Sequence, residues 1–92
     1  MQFRPAQAGS LESGDVMVRV TPSDSGTLSI RIESKVSPRF SGAIQQTVRE
    51  VAADMGVSAA HCEVIDRGAL DFVLRARVTT ALRRAMEVEK DE

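Results

Sequence analysis

The hydrophobic rhythm of this chain switches from a period of two to one of three to four, and that switch constrains its fold class. Over 16–20, Val16, Val18 and Val20 alternate with Met17 and Arg19; over 28–32, Leu28, Ile30 and Ile32 alternate with Ser29 and Arg31. Alternation rich in β-branched residues places one side of each run in a core, so both read as strands. Between them Thr21-Pro22-Ser23-Asp24-Ser25-Gly26 is dense in turn formers, which predicts a β-hairpin. Further on, Phe40, Ile44, Val48, Val51 and Met55 recur at helical spacing and form one apolar stripe. Ser37 is placed as its N-cap, Pro38 in its first turn and Gly56 just past its end.

Cys62-Glu63-Val64-Ile65-Asp66 reads as a further strand, followed by a turn at Arg67-Gly68. The stretch 70–86 satisfies two patterns. As a strand, Phe72, Leu74, Ala76 and Val78 share a face; as a helix, Leu70, Val73, Leu74, Val78, Ala81, Leu82 and Ala85 form a stripe. The favoured reading is a strand to about Val78, then a short helix capped by Thr79 or Thr80. Residues 1–12 form an extended arm with room for an edge strand, and the charged tail 87–92 frays. The expected fold is a small single α+β domain over 1–92, mainly antiparallel, in the order β-β-α-β-β-α, with helices on one face of the sheet. The alternative order is β-β-α-β-α.

At 92 residues the chain is one small domain, and folding takes only about 60% of its unfolded surface out of water. The core must be aliphatic, since the chain has three Phe and no Trp or Tyr. A net charge of −1 offers no excess of cations to neutralise phosphates, which disfavours nucleic acid. The single cysteine, Cys62, cannot close an internal disulfide, which fits a reducing compartment. No apolar run approaches the roughly 20 residues of a membrane span, and Arg4-Pro5 interrupts the N-terminus before any signal-peptide core. A soluble, cytoplasmic protein is the expectation.

Candidate chemistry centres on Ser13. It stands beside Gly14, just ahead of a strand, where a hydroxyl is open to a modifying enzyme and the backbone can take unusual φ/ψ values. Such a serine needs no activation by its own chain, because the modifying enzyme can supply the base. By composition alone the segment is more often simply a solvated turn leading into a strand, so the bare motif is weak. Asp24-Ser25 also resembles a carrier attachment pair, but Gly26-Thr27 follows it and the cluster reads as a turn. His61 and Cys62 are adjacent, so on a strand they point to opposite faces, and no further His or Cys completes a zinc site. Arg75 and Arg77, with Arg83 and Arg84 beyond, could grip phosphates or an acidic partner, or form a solvated face balanced by Glu33, Glu63 and Asp71. Asp15 and Asp71 are candidates for recognition.

Two blocks carry a resemblance. Gly9 and Leu11-Glu12-Ser13-Gly14-Asp15-Val16-Met17 with Arg19 resemble the N-terminal signature of the acyl carrier (gamma chain) family of bacterial citrate lyase. Gly68-Ala69-Leu70-Asp71 with Leu74-Arg75-Ala76-Arg77 is similar to that family's C-terminal motif, and Ser37-Pro38-Arg39-Phe40 and the helix ending near Gly56 match its middle. The likeness spans nearly the whole chain in order. Ser10 stands where some members have Thr, and the family's longer C-terminal tail is absent; neither touches Ser13.

The resemblance implies a non-catalytic carrier subunit. Its Ser13 would hold, through a phosphodiester, the prosthetic group derived from 2'-(5''-triphosphoribosyl)-3'-dephospho-CoA. The thiol of that group would bear acetyl and citryl thioesters while citrate is cleaved to acetate and oxaloacetate. The implied partners are the alpha (acyl transferase) and beta (citryl lyase) subunits, a prosthetic-group transferase, and an acetate ligase that acetylates the thiol; neither nucleic acid nor membrane is among them. The alternative within the class is the acyl carrier of malonate decarboxylase. A reading from another class is a small α+β binding module for RNA or protein. The strand pattern permits it, while the lack of stacking aromatics and the charge argue against RNA.

Overall fold

The computed structural model describes residues 3–34 and 40–87. Its elements run β1 (Ala6–Gly9), β2 (Val16–Thr21), β3 (Leu28–Ser34), α1 (Ser41–Asp54), β4 (Ala60–Asp66) and α2 (Asp71–Met86). The strands form one sheet in the order β1-β2-β4-β3. β1 and β2 are antiparallel, as are β2 and β4, whereas β3 runs parallel to β4 and reaches it through α1. The sheet is therefore mixed, with antiparallel pairings in the majority.

Alternation correctly identifies the more buried side of β2 and β3. Val16, Val18, Val20, Ala60, Cys62 and Val64 are all within 2% of full burial on one face. Their neighbours Met17, Arg19, His61, Glu63 and Ile65 occupy the other face. Ile44, Val48 and Val51 of α1 and Leu74, Val78 and Leu82 of α2 close over the first face to complete an aliphatic core. Both helices cover the same side, as the α+β reading expects, and no helix among the described residues covers the opposite side.

The expected hairpin of 16–20 with 28–32 does not form. β4 inserts between the two strands, so β2 and β3 never pair. Alternation reports a buried face and says nothing about which strand lies alongside. The segment 22–27 is long enough to step across an intervening strand, two inter-strand spacings of about 4.8 Å each. The contest for the centre goes to β4, whose alternate residues are buried from Ala60 to Asp66; β3 is half-buried at best along its length and takes the edge.

The second correction concerns 70–78, which is helical; a single helix, α2, runs to Met86. Leu74, Val78, Ala81, Leu82 and Ala85 are buried at helical spacing, while Phe72 and Ala76, which a strand would have put beside them, are exposed. The ends agree with the helix dipole, with Asp71 in the first turn and Arg83 and Arg84 in the last. Of the two expected orders, the one with a single C-terminal helix is realised, preceded by the edge strand that the N-terminal arm had room for.

The end of α1 follows expectation closely. Gly56 takes φ +74, its N–H bonds Ala53 O at 3.1 Å, and the N–H of Val57 bonds Ala52 O at 2.8 Å. Those two bonds define a Schellman motif with Gly56 at C′. The expected cap at Ser37 and Pro38 lies outside the described residues.

Candidate functional site

Ser13 sits at the apex of a tight turn. The N–H of Asp15 donates to Glu12 O at 2.9 Å, closing a β-turn over 12–15. Gly14 at the third position has φ +84, and no non-glycine residue among the described residues has positive φ, which makes the turn type II with Ser13 at its first corner. The same glycine also starts a β-bulge. Its N–H donates to Arg67 O at 2.7 Å, and the N–H of Arg67 donates to Asp15 O at 3.0 Å, so Gly14 and Asp15 together oppose Arg67. Glycine is demanded twice at position 14, by the turn and by the bulge. This is the physical content of the Ser-Gly pair.

The side chain of Ser13 is exposed, and its hydroxyl has no hydrogen-bond partner among the described residues. A Cβ built on Gly14 would meet nothing within 4 Å, so the approach on that side is clear.

Beneath this open apex the base of the loop is clamped. Arg77 of α2 donates from Nε to Asp15 Oδ1 at 3.0 Å and from Nη2 to Asp15 Oδ2 at 3.1 Å, a bidentate pair. Ser10 Oγ donates to Asp15 Oδ2 at 2.7 Å and the N–H of Val16 to Oδ1 at 2.7 Å. The Arg77 fork, then Ser10, then the Val16 amide hold the Asp15 carboxyl down to about 2, from an ordinary value of 3.8. Gly9 completes the base at φ +94, and a Cβ there would fall 1.8 Å from Val16 O, so no side chain fits.

The other sequence candidates separate cleanly. Asp24-Ser25 lies in an exposed turn in which Ser25 Oγ is hydrogen-bonded to Ser23 and Thr27. His61 and Cys62 diverge as expected. His61 Nδ1 lies 2.6 Å from Ser29 Oγ on the open face, and Cys62 is 2% exposed in the core, where burial raises its thiol to about 11. No group of three or more His, Cys, Asp or Glu side chains is placed to hold a metal among the described residues.

Because 71–86 is helical, Arg75 and Arg77 do not share a face. Arg75 bonds Asp71 at 2.6 Å and Glu50 of α1 at 2.8 Å, while Arg77 turns to the Ser13 loop. Arg84 bonds Gln7 O at 2.8 Å across to β1. Asp71 accepts from Thr47 Oγ1 at 2.7 Å, so it ties the start of α2 to α1. The Gly68-Ala69-Leu70-Asp71 block is the turn from β4 into α2. Gly68 has φ +90, and the N–H of Ala69 is held by Asp66 Oδ1 at 3.0 Å. A cleft of about 340 Å³ opens beside this turn, lined by Phe40, Ile44, Ala69, Leu70 and Leu74 among others.

Two contributors escaped the sequence reading. Arg77 was a candidate for phosphate or partner contact, not for the clamp on Asp15, a residue 62 positions away. Arg67 read only as a turn residue, yet it pairs with the Ser13 turn through both its backbone groups and keeps Nη1 buried without a hydrogen-bond partner. No local pattern marks either role.

Ser13 thus stands on a turn whose base is tied to both the sheet and α2. The family described as "Malonate decarboxylase delta subunit", an ACP family, matches residues 3–85 of this chain. The "Citrate lyase acyl carrier protein" of Haemophilus influenzae strain PittEE is 55% identical over 82 residues, spanning 89% of this chain and 84% of that one. The protein of the same description from Escherichia fergusonii is 48% identical over 85 residues, spanning 92% and 88%. Among solved structures, a chain of a Pseudomonas malonate decarboxylase hetero-tetramer in complex with malonate superposes with a TM-score of 0.72 at 27% identity, covering 91% of this chain and 90% of that one. The chain therefore belongs to this acyl carrier family, and within it groups with the citrate lyase acyl carrier proteins.

Proposed function

We propose that this chain is the acyl carrier subunit of a citrate lyase, with Ser13 as the covalent attachment point of its prosthetic group. The observation that carries the reading is the geometry at Ser13: an exposed hydroxyl at the corner of a type II turn, on a base held by Asp15 and Arg77. The group would be the phosphoribosyl-dephospho-CoA moiety, delivered from its triphosphate precursor when Ser13 Oγ takes the α-phosphorus, diphosphate departs, and the transferase accepts the hydroxyl proton. The residues present fit such a group, because the turn offers an unobstructed oxygen and Arg67 beside it holds a buried cationic N–H with no acceptor. When bound, the group supplies a thiol on a long tether that carries the acyl chain as a thioester.

The chain itself binds, presents and orients. A rigid loop base under a free apex lets a partner's active site take the serine or its cargo without pulling the domain apart. The tether raises the cargo's local concentration at each partner. Bond making and breaking on the acyl group belong to the partner subunits, an acyl transferase and a lyase, in a multisubunit complex of the kind in which the malonate decarboxylase neighbour was solved. No helix among the described residues is long and apolar enough to cross a membrane, and the buried lone thiol suits the reducing cytoplasm proposed as its location.

The test is intact-mass and peptide-mapping spectrometry after co-expression with the prosthetic-group transferase and the enzyme that builds its precursor. A nucleotide-sized increase on Ser13, absent from Ser13→Ala, is expected. A bare chain, alongside transferase active on another carrier, would overturn the assignment. The family description and the 27% identical neighbour favour malonate decarboxylase as the second reading. Reconstituting the loaded chain with each set of partner subunits separates the two: citrate cleavage supports the first and malonate decarboxylation the second.

A further inference from the structure

Among the described residues one buried side-chain polar atom has no hydrogen-bond partner, and it lies at the Ser13 loop: Nη1 of Arg67. Both oxygens of Asp15 are occupied by Arg77, Ser10 and the Val16 amide. The backbone of Arg67 is paired to Gly14 and Asp15. The guanidinium Nη1 of Arg67 is shut off from water and bonds nothing. A buried cationic N–H is costly to leave without an acceptor, so native structures rarely keep one unless an ion, a water or a ligand completes it. Asp15 cannot serve, because its own donors already fill it.

The position of this orphan is what gives it meaning. Arg67 is the residue directly across the bulge from Gly14, one residue from Ser13, and two short backbone bonds fix it there. A group esterified to Ser13 Oγ is therefore joined to the residue next to the one whose N–H bonds the Arg67 backbone. A phosphate diester in that place brings two unesterified oxygens sharing one negative charge. Arginine's planar fork matches such a pair of oxygens better than a lysine's point charge does. Arg77, the other guanidinium at the loop, is already committed to Asp15.

We infer that Arg67 is the phosphate ligand of the group carried on Ser13. Its guanidinium accepts the diester as counter-ion and pins the first link of the tether to the β4 end of the sheet, so that the arm leaves the domain in a set direction. The inference rests on Ser13 being the attachment point.

The experiment compares loaded and unloaded full-length chains of wild type, Arg67→Gln, Arg67→Lys and the exposed-arginine control Arg31→Gln. Loading is quantified first by intact mass. Phosphorus NMR then reads the diester, and thermal unfolding reads the loaded-minus-unloaded difference. In wild type and Arg31→Gln the diester resonance is displaced from its position in the urea-unfolded loaded chain, and loading raises the unfolding midpoint by about 5 °C. Arg67→Gln returns the resonance to the unfolded position and abolishes the rise, while Arg67→Lys keeps part of both. An unchanged resonance and an unchanged midpoint difference in Arg67→Gln would overturn the inference while leaving Ser13 as the attachment site. Should Arg67→Gln fail to fold, Arg67→Lys with a wild-type resonance and midpoint difference would overturn it equally. A wild-type chain that takes up no mass at Ser13 removes both readings, and the first mass spectrum reports that case separately.

Discussion

Asp15 and the two glycines beside it show how much of the site is decided residue by residue. The Asp15 carboxyl is held at about 2 in the folded chain against 3.8 ordinarily. A depressed carboxyl stabilises the fold above its unfolded value and loses that contribution as pH falls through the folded one. Wild type should therefore lose stability between about pH 4 and pH 2, and Arg77→Gln should lose clearly less over the same interval, as read from urea midpoints at pH 6 and pH 2.5. At neutral pH the Arg77→Gln substitution should cost roughly 1–2 kcal/mol, since Arg77 is partly solvated. The glycines should rank in a definite order. Gly14→Ala meets open space and costs only its positive φ, about 1 kcal/mol. Gly9→Ala drives a Cβ against Val16 O and should cost several times more by the same thermal measurement. Ser13→Ala, exposed and unbonded, should leave stability within about 0.5 kcal/mol while removing all loading. Ser13 and Gly14 are legible locally because turn chemistry acts between neighbours. The Asp15–Arg77 clamp is not, because nothing in either residue's surroundings along the chain names the other.

At the level of elements, α2 shows where periodicity runs out. Over 70–78 a strand and a helix account for the apolar residues equally well, and they differ chiefly at Phe72. A strand buries Phe72 beside Leu74 and Val78; the helix leaves it 69% exposed. Phe72→Ala should accordingly change stability by less than about 0.5 kcal/mol, whereas Leu82→Ala, fully buried, should cost about 2–5 kcal/mol. Chemical denaturation measures both, and a large loss at Phe72 would restore the strand. Packing resolves the tie. Only a helix lets Leu74, Val78, Ala81, Leu82 and Ala85 all meet the sheet while Arg75 reaches Glu50 and Arg77 reaches Asp15. By contrast the close of α1 is legible from Met55-Gly56 alone, because its Schellman bonds involve only residues 52–57.

Across the whole molecule, the open face of the sheet and the sealed core predict different reactivities. Cys62 lies between the sheet and the helices, its thiol raised to about 11 by burial. An alkylating reagent at pH 8 should label it only as fast as the domain unfolds, so labelling should speed up steeply in denaturant. Rapid labelling of the native chain would contradict the buried core.

The sequence by itself determined the fold class, the buried side of the runs 16–20 and 28–32, a helix stopped at Gly56, and a turn at Ser13-Gly14. All of these follow from hydrophobic period and turn chemistry, which act over a few neighbouring residues. Only the tertiary structure decided that β4 separates β2 from β3, that 71–86 is one helix, and that Arg77 and Arg67 converge on the Ser13 loop. These depend on which surfaces meet. Strand neighbours are chosen by competition for the centre of the sheet, and charge partners by where the packed elements bring them.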